Sequence, residues 1–185
     1  MYFVWNRLCR NLASFAVVSC LAAPVWAVGS SDEPESPPST TETTTECETG
    51  KIWDEAVKEC VLPEDATDDQ AALFRDAREL AWANRFDEAL HILDLLETTD
   101  STLTYQGFIA RQRGDWDQAE SYYLAALERN PDNLLARSYY GQGLAKLGLI
   151  DAAQAQLSEI RRRGGRMTWP AIALRLTIDT ADPAY

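Results

Sequence analysis

One twenty-residue stretch, Gly114 to Asn133, reads GDWDQAESYYLAALERNPDN, and its pattern comes back on either side. Trp116, Ala119, Tyr123, Ala126 and Leu127 fall at the three-and-four spacing of one helix face, between a glycine turn and an Asn-Pro stop. Phe86, Ala89, Leu93 and Leu96 repeat the arrangement earlier in the chain, and Ile150, Ala153, Leu157 and Ile160 repeat it later. A helix of this kind buries one face only. Units that recur at such a period therefore have to stack on one another to make a continuous core.

Each of these helices follows a partner of similar length. Gln70 to Ala83 carries Leu73, Ala77, Leu80 and Ala81; Ser101 to Arg113 carries Leu103, Gly107, Phe108 and Ala110; Leu134 to Leu147 carries Tyr140, Gly141, Leu144 and Leu147. The turns inside the pairs fall at Asn84, Gly114 and Gly148, residue types that tolerate the left-handed backbone of a helix end. Three antiparallel helix pairs result. Beyond them, Thr168 and Pro170 are start signals for a seventh helix, whose apolar side covers the open end of the stack. The cluster Arg161, Arg162, Arg163 is the positive charge expected at a helix C-terminus.

These units resemble tetratricopeptide repeats, whose pattern is W-x2-L-G-x2-Y, then A-x3-F, then P. The second unit, Asp100 to Asn133, fits best, with Leu103 for the aromatic, Gly107 for the glycine, Ala119 and Tyr123 for the second-helix pair and Pro131 closing. The third, Leu134 to Arg163, keeps Gly141, Leu144, Ala153 and Leu157; the first, Gln70 to Thr99, keeps Leu73, Leu80, Ala89 and Leu93, with Ala77 in the glycine's place. Small residues there let the helices approach closely. Departures are Arg137 in a bulky apolar place, Ala110 where a tyrosine is usual, and a first unit that is short and lacks a closing proline. The resemblance implies an all-α solenoid of three helix pairs plus a capping helix over residues 68–180, with a curved inner surface that holds a peptide or partner protein. By helical spacing and by likeness to the family's groove positions, the inward residues are Phe74, Arg78 and Trp82, then Thr104, Phe108, Arg111 and Gln112, then Ser138, Gln142 and Lys146. Of these, Phe74, Arg78, Trp82, Phe108, Arg111, Gln112, Gln142 and Lys146 are the expected partner-binding set. Aromatics mixed with Arg78, Arg111 and Lys146, in a chain of net charge −12, point to an extended peptide carrying carboxylates.

The amino-terminal third has a different character. Arg7 and Arg10, the apolar run Leu12 to Ala23 and the small-residue site Val25-Trp26-Ala27 make residues 1–27 a secretory signal, cleaved after Ala27. Val17-Val18-Ser19-Cys20 also resembles a lipoprotein box, which would lipidate Cys20 and tie the chain to a membrane. Both routes give a periplasmic or otherwise exported protein. Residues 28–46 read as a disordered acidic linker, since Ser30 to Glu46 holds no large apolar side chain. From Ser31 to Asp69 thirteen acids face Lys51 and Lys58, a net of −11, whereas Gln70 to Tyr185 has sixteen acids and thirteen basic residues, a net of −3. Neither part has the basic excess that nucleic acid requires. The acidic leader is itself a candidate to fold back onto Arg78, Arg111 and Lys146 and occlude the groove.

Cys47 and Cys60, in an exported chain with a glycine turn and Ile52-Trp53 between them, are expected to form a disulfide that staples a hairpin over 47–62. Closing such a loop contributes about 3 kcal/mol in the chain-entropy model. The segment resembles the small knots of chitin-binding modules. This gives an alternative function, a cell-envelope glycan binder that uses Trp53 with the repeats as spacer. Two thiols and a distant His91 do not make a zinc site. Acid-base and nucleophilic catalysis need a reactive group with a positioned partner, and His91 is the chain's single histidine. Asp115 and Asp117 are accounted for by the turn around Trp116. The expectation is a scaffold with no enzymatic activity, cofactor or metal.

Overall fold

The computed structural model describes residues 36–67 and 69–181, so the signal, the lipoprotein-box alternative and the start of the linker lie outside the described residues. The repeat region is helical throughout: α2 (Gln70–Trp82), α3 (Phe86–Leu95), α4 (Asp100–Gln112), α5 (Trp116–Arg129), α6 (Leu134–Lys146), α7 (Ile150–Arg162) and α8 (Trp169–Ala181). Before it come a single helical turn, α1 (Glu42–Thr45), and two short strands, β1 (Ile52–Asp54) and β2 (Glu59–Val61).

Local chemistry sets the helix ends. Asp69 accepts from the amides of Ala71 and Ala72, Thr99 and Thr102 form a reciprocal capping box, and Asp115 and Asn133 accept from Gln118 and Ala136. Each cap satisfies amides that the first turn leaves without a helical partner. At the other ends, Asn84, Gly114 and Gly148 turn the chain with φ of 61°, 83° and 77°. All three were the turn positions expected from the repeat.

Pairs pack α2 on α3, α4 on α5 and α6 on α7, and α8 lies against both α6 and α7. The close approaches run through small residues. A Cβ on Gly107 would come within 2.7 Å of the buried Tyr123 ring, and one on Gly141 within 2.7 Å of Leu174 on the capping helix. Gly143 is tighter still, because the Trp116 ring fills the space a Cβ would need while stacking on Tyr140 at 6.0 Å. Gly143→Ala should therefore force the indole out of its slot and lower stability by about 1–3 kcal/mol. A thermal melt that matched the parent chain would show that Trp116 can move freely.

The amino-terminal elements close the other end of the stack. Cys47 and Cys60 form the expected disulfide, and β1 pairs antiparallel with β2 in the register Ile52 with Val61, Trp53 with Cys60 and Asp54 with Glu59. Ile52 is 1% exposed and belongs to the same buried cluster as Leu73, Ala77, Leu80 and Ile92. The hairpin is thus built into the repeat core. Asp54, also buried, accepts from the amides of Ala56 and Val57 and from the amide and hydroxyl of Thr67.

Those donors, the Thr67 amide foremost, favour the carboxylate and push the Asp54 pKa down to about 2. The unfolded value is about 3.9. Stability from this group is therefore fully present above about pH 4 and is lost as pH falls toward 2. Near-ultraviolet circular dichroism of the full chain should show the loss in that window, and Asp54→Asn should remove that step.

One expectation is corrected. Residues 36–46, read from the sequence as part of a disordered linker, are ordered against α2. Thr41 donates through its amide and hydroxyl to Glu79 at 2.7 and 2.6 Å, Thr44 adds a second hydroxyl, and Thr43 donates to Asp76 at 2.8 Å. Glu79 is 4% exposed. The segment lacks apolar side chains, as its composition says, but hydroxyl and amide donors meeting buried carboxylates hold it by charge-assisted bonds instead.

Candidate functional site

The inner surface of the stack is formed by α2, α4 and α6, and α8 closes it at one end. Trp82 of α2 stacks on Phe108 of α4 at 5.9 Å and 13°, Phe108 meets Tyr139 of α6 at 5.0 Å, and Tyr139 meets Trp169 of α8 edge-on at 6.2 Å. Trp169 then returns to Trp82 at 5.9 Å, so four aromatic rings close into a circuit spanning the first helix of the array and the last. Offset and edge-on pairs of this kind hold rings in fixed mutual positions.

Beside the circuit opens a cleft of about 330 Å³, lined by Trp82, Asn84, Phe108, Arg111, Gln112, Tyr139, Gln142, Lys146, Trp169, Ala173 and Thr177. Six of the eight residues expected to bind a partner are in it. Arg111 places its guanidinium 5.5 Å from the Phe108 ring centre and 5.8 Å from that of Tyr139, while its Nε donates to the Tyr123 hydroxyl at 3.3 Å. Gln142 donates to Ser138 at 3.0 Å, and Ser138 donates to the Pro170 carbonyl at 2.8 Å, tying the cleft wall to the start of α8. Lys146 has its amine held below the usual lysine range, first by partial burial and then by repulsion from Arg111. No carboxylate lines the cleft among the described residues. Two positive groups face one opening without a counter-charge.

The other two expected residues lie elsewhere. Phe74 is half-buried, with its ring edge-on to Tyr105 at 5.6 Å. Arg78 is 3% exposed; its Nε donates to the Tyr105 hydroxyl at 3.1 Å and its Nη2 to the Ser36 carbonyl at 2.7 Å. Thr104 and Ser138 are buried as well. Of the first repeat's inner residues, Arg78 is thus covered by the leader at Ser36 and Phe74 borders a separate hollow with Thr104 and Asn133, while Trp82, 38% exposed, opens to the cleft.

Five lining residues escaped the sequence reading: Ala173 and Thr177 on α8, and Tyr139, Trp169 and Asn84. Tyr139 sits beside the expected Ser138, but its role shows only once Phe108 and Trp169 close on it. Trp169 lies beyond the third repeat, where the period gives no register. Asn84 was read only as a turn.

Residues 110–166 match a family model described as tetratricopeptide repeat. That span is a tetratricopeptide repeat region. No curated protein and no solved structure matches it. The matched span runs from the end of α4 through α5, α6 and α7, the part in which Ala119, Gly141 and Ala153 hold the family's small positions. Tetratricopeptide repeats generally mediate protein–protein interactions, and the helical solenoid supports an interaction scaffold.

Two further features bear on the other readings. Trp53, the residue of the glycan alternative, is half-buried and lines a polar hollow of about 250 Å³ with Pro38, Glu55 and Arg75. His91 is exposed and meets Glu64 at 3.3 Å; among the described residues no three histidine, cysteine or acidic side chains gather as a metal set.

Proposed function

We propose that this protein is an exported, non-enzymatic scaffold that holds a carboxylate-bearing peptide or protein segment in the cleft of its concave face. The observation that carries the reading is the pair Arg111 and Lys146, set among Trp82, Phe108, Tyr139 and Trp169 with no acid in the lining, in a chain of net charge −12. Like charges at one opening raise each other's cost, and an incoming carboxylate relieves both. The rings offer apolar surface to the residues flanking that carboxylate, and Phe108 and Tyr139 hold the Arg111 guanidinium 5.5 and 5.8 Å from their centres, where it can make a two-point contact. Export rests on the charged, then apolar, then small-residue order of residues 1–27.

A fluorescein-labelled peptide that alternates glutamate with phenylalanine tests the cleft. Arg111→Met should weaken its binding about 10–100-fold, the worth of a hydrogen bond to a charged group. Raising salt should weaken it in the parent chain and much less in the variant. An affinity untouched by Arg111→Met would overturn the reading.

A further inference from the structure

Charge is sorted along this chain by position. In residues 36–69, which hold α1 and the hairpin, ten acids face two lysines, a net of −8; in residues 134–181, the third repeat and α8, seven basic residues face three acids, a net of +4. Between them six basic residues face twelve acids, so the capping end is the positive part of the repeat domain. Its charge is exposed and uncommitted. Arg162 and Arg163 are taken up by Glu159 and Asp132, but Arg161 at the end of α7, Arg166 in the loop that follows and Arg175 on α8 are exposed and make no ion pair among the described residues. Beside Arg166, Met167 is 81% exposed. Ile172 and Leu176 are exposed too, at helical spacing with Arg175, on the side of α8 away from the buried Leu174 and Ile178.

The amino-terminal end has the same make-up with the sign reversed. Glu46 after α1, Glu59 on β2 and Asp65 beyond it are exposed and make no ion pair among the described residues, and the exposed Val57 and Leu62 alternate with them along the chain. A lone aliphatic side chain on a surface is ordinary; two sets, one at each end of a stack and each embedded in unpaired charge of opposite sign, are complementary. We infer that the capping end of one copy docks head to tail on the amino-terminal end of another, Arg161, Arg166 and Arg175 pairing with Glu46, Glu59 and Asp65 while Met167, Ile172 and Leu176 meet Val57 and Leu62. Solenoid layers bury their faces on their neighbours, and the hairpin and α8 are the first and last layers, so the contact continues the stack. Because two different patches meet, the contact is heterologous and repeats from copy to copy. Exposed ion pairs are individually weak, which makes it reversible. The net charge of −12 does not forbid it, since at physiological ionic strength charges more than about 8 Å apart are largely screened and the touching ends are of opposite sign. None of these residues lines the cleft, so the contact draws on nothing that the peptide site uses.

Sedimentation velocity of the full chain at rising concentration decides it. The parent should form species larger than one chain. Two sets of neutralising changes should each weaken that association at least about tenfold: Arg161→Gln, Arg166→Gln and Arg175→Gln at the cap, or Glu46→Gln, Glu59→Gln and Asp65→Asn at the hairpin. Mixed in equal amounts, the two variants retain one intact patch each, and they should form a complex of two chains and nothing larger. That rescue separates a lost contact from a lost fold, because a misfolded chain restores nothing. A parent that stays a single chain at every concentration overturns the inference, as does assembly that either set leaves unchanged. Capture of the parent on phosphatidylglycerol vesicles, abolished by the cap set and unaccompanied by self-association in solution, assigns the arginines to a lipid surface and also overturns it.

Discussion

Replacing Tyr139 with alanine should lower the stability of the folded chain by about 3–5 kcal/mol and abolish measurable binding of an acidic aromatic peptide at temperatures where the variant is still folded. Tyr139 is 2% exposed and meets Phe108 at 5.0 Å, Tyr105 at 6.2 Å, Trp169 at 6.2 Å and the Arg111 guanidinium at 5.8 Å. Burial, and then the neighbouring Tyr105 hydroxyl, push its hydroxyl pKa well above the usual tyrosine value. Truncation removes a ring shared by α4, α6 and α8, and a void there cannot collapse without shifting helices. Arg111 would also lose one of the two faces that hold it over the cleft. Tyr139→Phe is the control. It keeps the ring and gives up one hydroxyl, so it should cost about 0.5–1.5 kcal/mol and leave peptide binding near the parent level. If the alanine variant bound as well as the phenylalanine variant, the aromatic circuit would not be what positions Arg111.

The repeat architecture was legible because its determinants are local and periodic. Asn84, Gly114 and Gly148 announce the turns through a backbone conformation that few residues adopt, and Gly107 and Gly141 mark where helices touch. Six of the cleft's residues followed from helical spacing combined with likeness to the family's groove. The rest was hidden for identifiable reasons. Arg78 looks like an inner-face cation in sequence, and nothing near it reveals that a segment forty residues upstream will cover it. That segment was legible as polar but not as ordered, because composition registers the lack of apolar side chains and says nothing about hydroxyls meeting Asp76 and Glu79. Ile52 read as a fragment inside a stapled turn, whereas its burial with Leu73 and Leu80 makes the hairpin the first layer of the solenoid. Gly143 was invisible for a related reason: the pattern puts Trp116 on the face of its own helix and does not say that its ring reaches α6.

Leu174→Ala should be nearly as costly, at about 2–5 kcal/mol, and its consequence for binding should differ in kind. Leu174 is fully buried, and its methyl groups fill the notch above Gly141, which holds the capping helix to α6. A cavity there loosens α8 without replacing any residue of the cleft. Yet α8 carries Trp169, which closes the aromatic circuit onto both Tyr139 and Trp82, and its first turn receives the Ser138 hydrogen bond at Pro170. A detached cap leaves Arg111 and Lys146 in place on α4 and α6 but removes one wall beside them. Peptide binding should therefore weaken mainly through faster dissociation, while its dependence on salt, which reports the two cations, stays as in the parent chain. Amide hydrogen exchange separates this outcome from general unfolding: protection should fall first in α8 and persist in α2, α4 and α6. Loss of protection spread evenly over all the helices would mean that the cap and the inner helices form a single cooperative unit, and that the cleft has no independently movable wall.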